Sequence, residues 1–156
     1  MVGELKRGKS AALLSDAGTP GLCDPGGKLA RAALEKGIKI TPVPGASAPA
    51  ALISVAPFPC SRFVFLGYFP KKKGRVKILD EIKSHQGAPV FFFESPHRIV
   101  KTLEHLKKHL NGYDILIGRE LTKVFEEVIF CRLKDCDFSA DRARGEIVFA
   151  LVRRDI

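Results

Sequence analysis

The chain has 156 residues, 46% of them hydrophobic and 28% charged, a balance that excludes wholesale disorder and suits one ordinary domain or two small lobes. Lys and Arg total 26 against 17 acidic residues, and the resulting net charge of +9 and pI near 9.6 favour a polyanionic partner over a neutral metabolite. The longest apolar runs, such as Pro89-Val90-Phe91-Phe92-Phe93, are too short to span a bilayer, and the opening MVGELKRGKS has no signal-peptide h-region, so a cytoplasmic protein without membrane contact is expected.

In chain order, Lys9 to Leu14 reads as a short apolar strand, and Pro25 to Lys36 carries helical spacing through Leu29 and Ala33 until Gly37 stops it. Ile38 to Val43 resumes as a strand, and PGASAPAALISVA opens on a Pro-Gly turn and becomes a small-residue helix. Strand, loop, helix, strand, loop, helix is the order of a parallel sheet with right-handed crossovers. Pro57-Phe58-Pro59 disfavours both helix and central strand, which puts a boundary between residues 1–59 and residues 60–156.

Beyond it, Arg62 to Tyr68 reads as a strand, and a helix from about Gly74 to His85 places Ile78 and Ile82 on one face. Ala88 to Phe93 is a near-continuous apolar strand, and Pro96 suits the first turn of a helix running to about Leu110. Asp114 to Ile117, Glu127 to Leu133 and Glu146 to Val152 supply three more strands. The four cysteines, Cys23, Cys60, Cys131 and Cys136, form no Cys-x-x-Cys pair and have no histidine completing a ligand set, so reduced, mostly buried thiols and no metal are expected. His85, His105 and His109 have lysine neighbours on helices and read as surface residues.

The loop SDAGTPGLCDPG, residues 15–26, follows the first strand. A dinucleotide fingerprint fails there because Pro20 stands where the second glycine belongs, and a P-loop fails because Gly27 occupies the lysine position. Asp24 before Pro25 reads as a cap for the next helix. Asp16 reads as a binding residue, because open α/β sheets take ligands at the C-terminal ends of their strands. The second glycine-bearing loop, Pro44-Gly45-Ala46-Ser47-Ala48, ends the next strand and would line the same cleft. Lys71-Lys72-Lys73-Gly74-Arg75 beside Tyr68 and Phe69 reads either as a solvated basic turn or as a grip on looped RNA, with Arg98, Lys101 and Arg153-Arg154 extending the surface.

SDAGTPGLCDPG, PVPGASA, FLGYFPKKKGR, FFFESPHR, GRELTKVFEE and GEIVF, in that order and spacing, strongly resemble the ribosomal RNA small subunit methyltransferase I family, within the tetrapyrrole methylase superfamily. The resemblance implies an α/β protein of two lobes, with a mostly parallel first sheet and a mixed second one. It implies a homodimeric enzyme that methylates a cytidine ribose 2′-oxygen of 16S rRNA with S-adenosyl-L-methionine, so the implied partner is 16S rRNA or the small ribosomal subunit. A tetrapyrrole methylase and a non-catalytic RNA-binding module of the same fold are the alternatives.

Members of the family open with a further half-domain holding a Gly-Asn-Leu loop and an Ala-Glu-Asp-Thr-Arg segment, so residues 1–59 are expected to be the remainder of the cofactor lobe. The implied cofactor residues are Ser15, Asp16, Ala17, Gly18, Thr19, Gly45, Ser47 and Ala48. Methyl transfer to a hydroxyl requires alignment and removal of the 2′ proton, for which Glu94, Glu120 and Lys123 are catalytic candidates, with His97 beside them. Glu94 reads equally as a carboxylate at the start of the helix that follows it. Lys71, Lys72, Lys73, Arg75, His97 and Arg98 are the RNA-binding candidates.

Overall fold

The computed structural model describes residues 1–154, which divide into two compact units at Ser47/Ala48. The first unit holds two helices, α1 (Val2–Lys6) and α2 (Gly27–Leu34). Helix α2 buries Ala33 and stops as its sequence predicts. Gly37 takes φ +70°, its N–H donates to Leu34 O at 2.9 Å, and the Ile38 N–H donates back to Ala33 O at 3.0 Å, satisfying carbonyls of the last turn. The start of α2 differs from expectation. Gly26, at φ +149°, is the N-cap residue and no side chain caps the helix, so Asp24 does not serve that role.

Segments 9–14 and 38–43 also differ: neither forms a ladder, and no strand pairs within residues 1–47. A parallel strand needs a neighbour to take its N–H and C=O groups, and apolar pattern alone supplies none. Leu14 and Val43 are accordingly 85% and 84% exposed.

The second unit opens with α3 (Ala48–Ser54) and continues β1 (Val64–Tyr68), α4 (Arg75–Ser84), β2 (Val90–Glu94), α5 (Ile99–His109), β3 (Tyr113–Arg119), β4 (Glu127–Arg132), a 3-10 turn (Leu133–Asp135) and β5 (Ile147–Arg153). The boundary read from Pro57-Phe58-Pro59 and the observed division thus part over α3. The five strands form one mixed sheet in the order β1-β2-β5-β3-β4, parallel between β1 and β2 across the α4 crossover and antiparallel elsewhere.

Because side chains alternate along a strand, the sheet has two apolar faces, and both are covered. Phe92, Phe149, Ile115 and Ile117 pack on one face with Leu79 and Ile82 of α4 and Leu103 and Leu106 of α5. Phe91, Leu116, Val148 and Ala150 pack on the other with Leu52 of α3. Phe92 and Phe149 stack at 5.3 Å with no exposure, and burying each contributes about 1.5–3 kcal/mol. In α4 the buried pair is Leu79 and Ile82, with Ile78 half-buried beside them. Helix α5 starts at Ile99, leaving Pro96 in the turn ahead of it.

Candidate functional site

Strand register brings the polar motifs of the second unit to one end of its sheet. Glu94 of β2 pairs with Ile147 of β5, Ile147 with Arg119 of β3, and Arg119 with Glu127 of β4. ESPHR, ELTK and GEIVF, far apart in sequence, therefore stand in one rank, and Tyr68, opposite Phe93, brings the KKKGR loop to the same end.

Glu94 is the most deeply buried charge there, with its side chain fully inaccessible. Its apolar strand draws it inside, and three donors make that tolerable. Oε2 accepts from the Thr102 hydroxyl at 2.6 Å, Oε1 accepts from the Ser95 N–H at 2.7 Å, and Oε1 also pairs with the Arg98 guanidinium. These are the bonds of a carboxylate that fixes the start of α5 and aims Arg98. Thr102 escapes motif reading, yet its place among Ile99, Leu103 and Leu106 on the buried face of α5 is the signal that finds it.

Arg98, 23% exposed, lines an open groove of about 600 Å³ with Tyr68, Phe69, Lys71, Ser95 and His97. Lys71, Lys72 and Lys73 are exposed. Arg75 is committed elsewhere: its Nε donates to Pro70 O at 3.4 Å and to Lys71 O, and its guanidinium lies 5.8 Å from the Phe69 ring centroid. It therefore shapes the basic loop from inside. His105 is not the plain surface residue its lysine neighbours suggest. Its Nε2 is buried without a hydrogen-bond partner among the described residues, and burial, then Arg75, hold its pKa below the ordinary value.

Glu120 and Lys123 sit in the β3–β4 turn, where Glu120 (φ +48°) and Thr122 (φ +65°) adopt left-handed backbone. Glu120 Oε1 accepts from the Glu146 N–H at 2.8 Å and from Lys123 Nζ at 3.0 Å, while Lys123 Nζ also reaches Glu146 Oε2 at 3.0 Å. The Glu146 N–H and then Lys123 hold the Glu120 carboxyl below its ordinary value, and the Glu146 and Glu120 carboxylates hold Lys123 above its own. Glu146 is the partner missed in the sequence, where it looked like the first residue of a strand. At the end of the rank, Glu127 accepts from Arg119 at 3.2 Å and from Arg142.

In the first unit, Thr19 Oγ1 donates to Ala46 O at 2.9 Å, which ties the loop 15–20 to the loop 44–47. Ser15 Oγ donates to Gly18 O at 3.0 Å, and Gly18 takes φ +68° where a Cβ would stand 3.4 Å from Ala46 O. Ala17 is exposed in the same turn, and the Asp16 carboxylate is exposed with no hydrogen-bond or ion-pair partner among the described residues. Gly45 and Ser47 belong to the second loop, whereas Ala48 opens α3 in the second unit. Of the thiols, Cys23 is exposed, Cys60 and Cys131 are half-buried, and Cys136 is buried, so burial is less general than expected. Burial, then Cys131, pushes the Cys136 thiol up to about 12. No helix among the described residues is long and apolar enough to cross a membrane.

Residues 1–137 match the family described as Tetrapyrrole (Corrin/Porphyrin) Methylases. The chain is 43% identical over 155 residues to a Ribosomal RNA small subunit methyltransferase I from Leptospira biflexa, a similarity that covers 97% of this chain and 63% of that protein. It thus spans less than two thirds of the relative's length. Among solved structures, the methyltransferase CobJ aligns with a TM-score of 0.61 at 20% identity over 87% of this chain and 62% of CobJ. A uroporphyrin-III C-methyl transferase from Thermus thermophilus, complexed with S-adenyl homocysteine, aligns with a TM-score of 0.54 at 16% identity over 86% of this chain and 62% of its own. With a family match over most of its length and neighbours of the same fold, the chain belongs to the tetrapyrrole methylase family.

Proposed function

We propose that the chain forms part of an S-adenosylmethionine-dependent methyltransferase that modifies a cytidine ribose 2′-hydroxyl of 16S rRNA, working as a cytoplasmic homodimer. The observation that carries this reading is the basic groove at the end of β1 and β2, where Lys71, His97 and Arg98 meet the exposed ring of Tyr68 in a chain of net charge +9. Cations for phosphates beside an aromatic face for an unstacked base suit RNA, and suit an acidic tetrapyrrole less well. The name of the Leptospira biflexa relative supports the same substrate.

For the cofactor, the first unit offers Asp16 as a free carboxylate for an ammonium group, with backbone groups of residues 17–19 and 45–47 around it. The Thr19–Ala46 bond holds the two loops together, and this donor and acceptor set fits an amino-acid-bearing nucleoside. S-adenosylmethionine supplies the methyl group. The uroporphyrin-III C-methyl transferase bound to S-adenyl homocysteine supports this assignment.

Among the candidate catalytic residues, we assign Glu94 to positioning, since its acceptors are taken by Thr102, Ser95 and Arg98. Glu120 Oε1 and Lys123 Nζ are both tied to Glu146 across the turn, so we assign these residues to holding the β3–β4 turn. Calorimetry with S-adenosylmethionine, then with a short decoding-region RNA, tests the reading. Binding of both is expected, with Asp16→Ala weakening cofactor affinity about tenfold or more, the worth of a charge-assisted hydrogen bond. RNA binding without cofactor affinity would instead identify an RNA-binding module, and cofactor affinity without RNA binding would identify a small-molecule methylase.

A further inference from the structure

Resting on the RNA reading above, we infer that the β1 edge of the sheet, running on from the groove already described toward Phe63, is a track for single-stranded RNA. Phe63, just before β1, is 46% exposed and meets Phe91 edge-on at 5.6 Å. Phe65 meets Phe93 at 4.9 Å, and Tyr68, 59% exposed, meets Phe93 at 5.5 Å. Phe63 and Tyr68 thus stand as exposed rings at the two ends of a strip along β1, with the half-buried Phe65 packed beside Phe91 and Phe93 between them.

A regular strand would not make that strip. Residues 65 and 67 would share a face, and Tyr68 would point through to the other side. The pairing instead shifts between Phe65, opposite Phe91, and Tyr68, opposite Phe93, and Gly67 takes φ +71° at the shift. This bulge inserts one residue and re-aims Tyr68 onto the face of Phe65. Gly67 is the residue type that adopts this backbone without a Cβ penalty.

Both ends of the strip carry cations. Lys71 and Arg98 lie at the Tyr68 end, with the imidazole of His97 beside them. At the Phe63 end, a second groove of about 610 Å³ is lined by Ser61, Arg62, Phe63, His85 and Gln86, with no carboxylate in its wall. Arg62 is exposed and has no ion pair or hydrogen bond among the described residues. Five residues of β1 separate the two ends, about 17 Å at 3.3 Å per residue, a span that a few nucleotides of one strand cover. Stacking platforms flanked by phosphate-binding cations on a sheet face suit unpaired bases, whereas a duplex hides its bases from such rings. Lys71 and Arg98 at one end of the strip and Arg62 at the other, in a chain of net charge +9, argue for RNA on this face over a second copy of the same basic surface.

Fluorescence anisotropy of a short labelled oligocytidine, titrated with the 156-residue chain at several salt concentrations, tests the track. Phe63→Ala and Tyr68→Ala are each expected to weaken binding about tenfold without changing the salt slope. Arg62→Gln is expected to lower that slope by about 0.7. Since the chain contains no tryptophan, Tyr68→Trp supplies a single reporter that keeps affinity and loses emission as bases stack on it, which separates loss of stacking from loss of fold. Unchanged affinity in the aromatic variants, with binding lost in a Lys71→Gln, Lys72→Gln, Lys73→Gln triple variant, overturns the track and leaves the RNA reading intact. Absence of binding by the unaltered chain overturns both. A changed sedimentation coefficient in the aromatic variants makes the strip a protein interface and also overturns the track.

Discussion

Replacing Thr102 with valine removes one hydroxyl from a fully buried position and keeps the shape of the side chain. The hydroxyl's partner is Glu94 Oε2, which has no other acceptor bond among the described residues, so the variant leaves one carboxylate oxygen buried and unsatisfied. A lost hydrogen bond to a charged group costs about 1.5–3 kcal/mol, and the lack of any path to water puts the expectation near the middle, about 2 kcal/mol. Glu94→Leu removes the charge but strands the Thr102 hydroxyl and the Arg98 guanidinium; with Arg98 partly open to solvent, about 3 kcal/mol is expected, at the lower end for a broken buried pair.

The double variant replaces both partners of the 2.6 Å bond with apolar groups and should cost less than the sum of the two, by about 1.5 kcal/mol. Urea unfolding followed by circular dichroism reads these differences as midpoint shifts, with a slope of about 1–3 kcal/mol/M. A Thr102→Val cost below about 0.5 kcal/mol, or additivity within about 0.5 kcal/mol, would falsify the claim that this bond anchors the start of α5.

Two further outcomes concern the β3–β4 turn. At Gly145, φ +72°, a Cβ would stand 2.3 Å from the Glu120 carboxyl group, so Gly145→Ala should expel Glu120 from Glu146 and Lys123 and increase protease cleavage between residues 119 and 127; wild-type cleavage would refute the lock. The pH dependence has a definite sign. Glu120 is held below its ordinary 4.5, so its stabilisation is complete above that value and is lost as pH falls through the folded pKa, while Lys123, held above 10.5, loses its stabilisation as pH rises through its own. Melting temperatures of Glu120→Gln should therefore fall below wild type across the neutral range and converge with it in acid; a gap that persists in acid would rule out the carboxylate as its source.

The second unit was largely legible because its apolar runs find partners within it. Ala88 to Phe93 and Glu146 to Val152 were readable as buried strands, and β2 pairs with β5 along Val90 to Glu94. The segments 9–14 and 38–43 looked equally strand-like, but a strand is defined by a ladder, and pairing is a non-local property that apolar pattern does not encode. The motifs ESPHR, ELTK and GEIVF could be picked out as polar ends of strands, yet only the register joined them in one rank. Burial of Glu94 was readable from the four apolar residues before it. Its partner Thr102, eight residues later, depended on the angle at which α5 leaves the turn. The re-aiming of Tyr68 was hidden for a similar reason, since a bulge at Gly67 changes the strand's period locally.

The sheet order β1-β2-β5-β3-β4 puts β5, the last of its strands along the chain, at the centre. During synthesis β1 and β2 can pair early, and β3 and β4 can close as a hairpin, but the two halves share no ladder until β5 has emerged and inserted between them. Folding of this unit therefore waits on contacts of long sequence separation, between residues 90–94 and 147–151, which makes a slow step and leaves two open edges in the interval. Placing the last of these strands in the middle thus ties closure of the whole sheet to the arrival of residues 147–153.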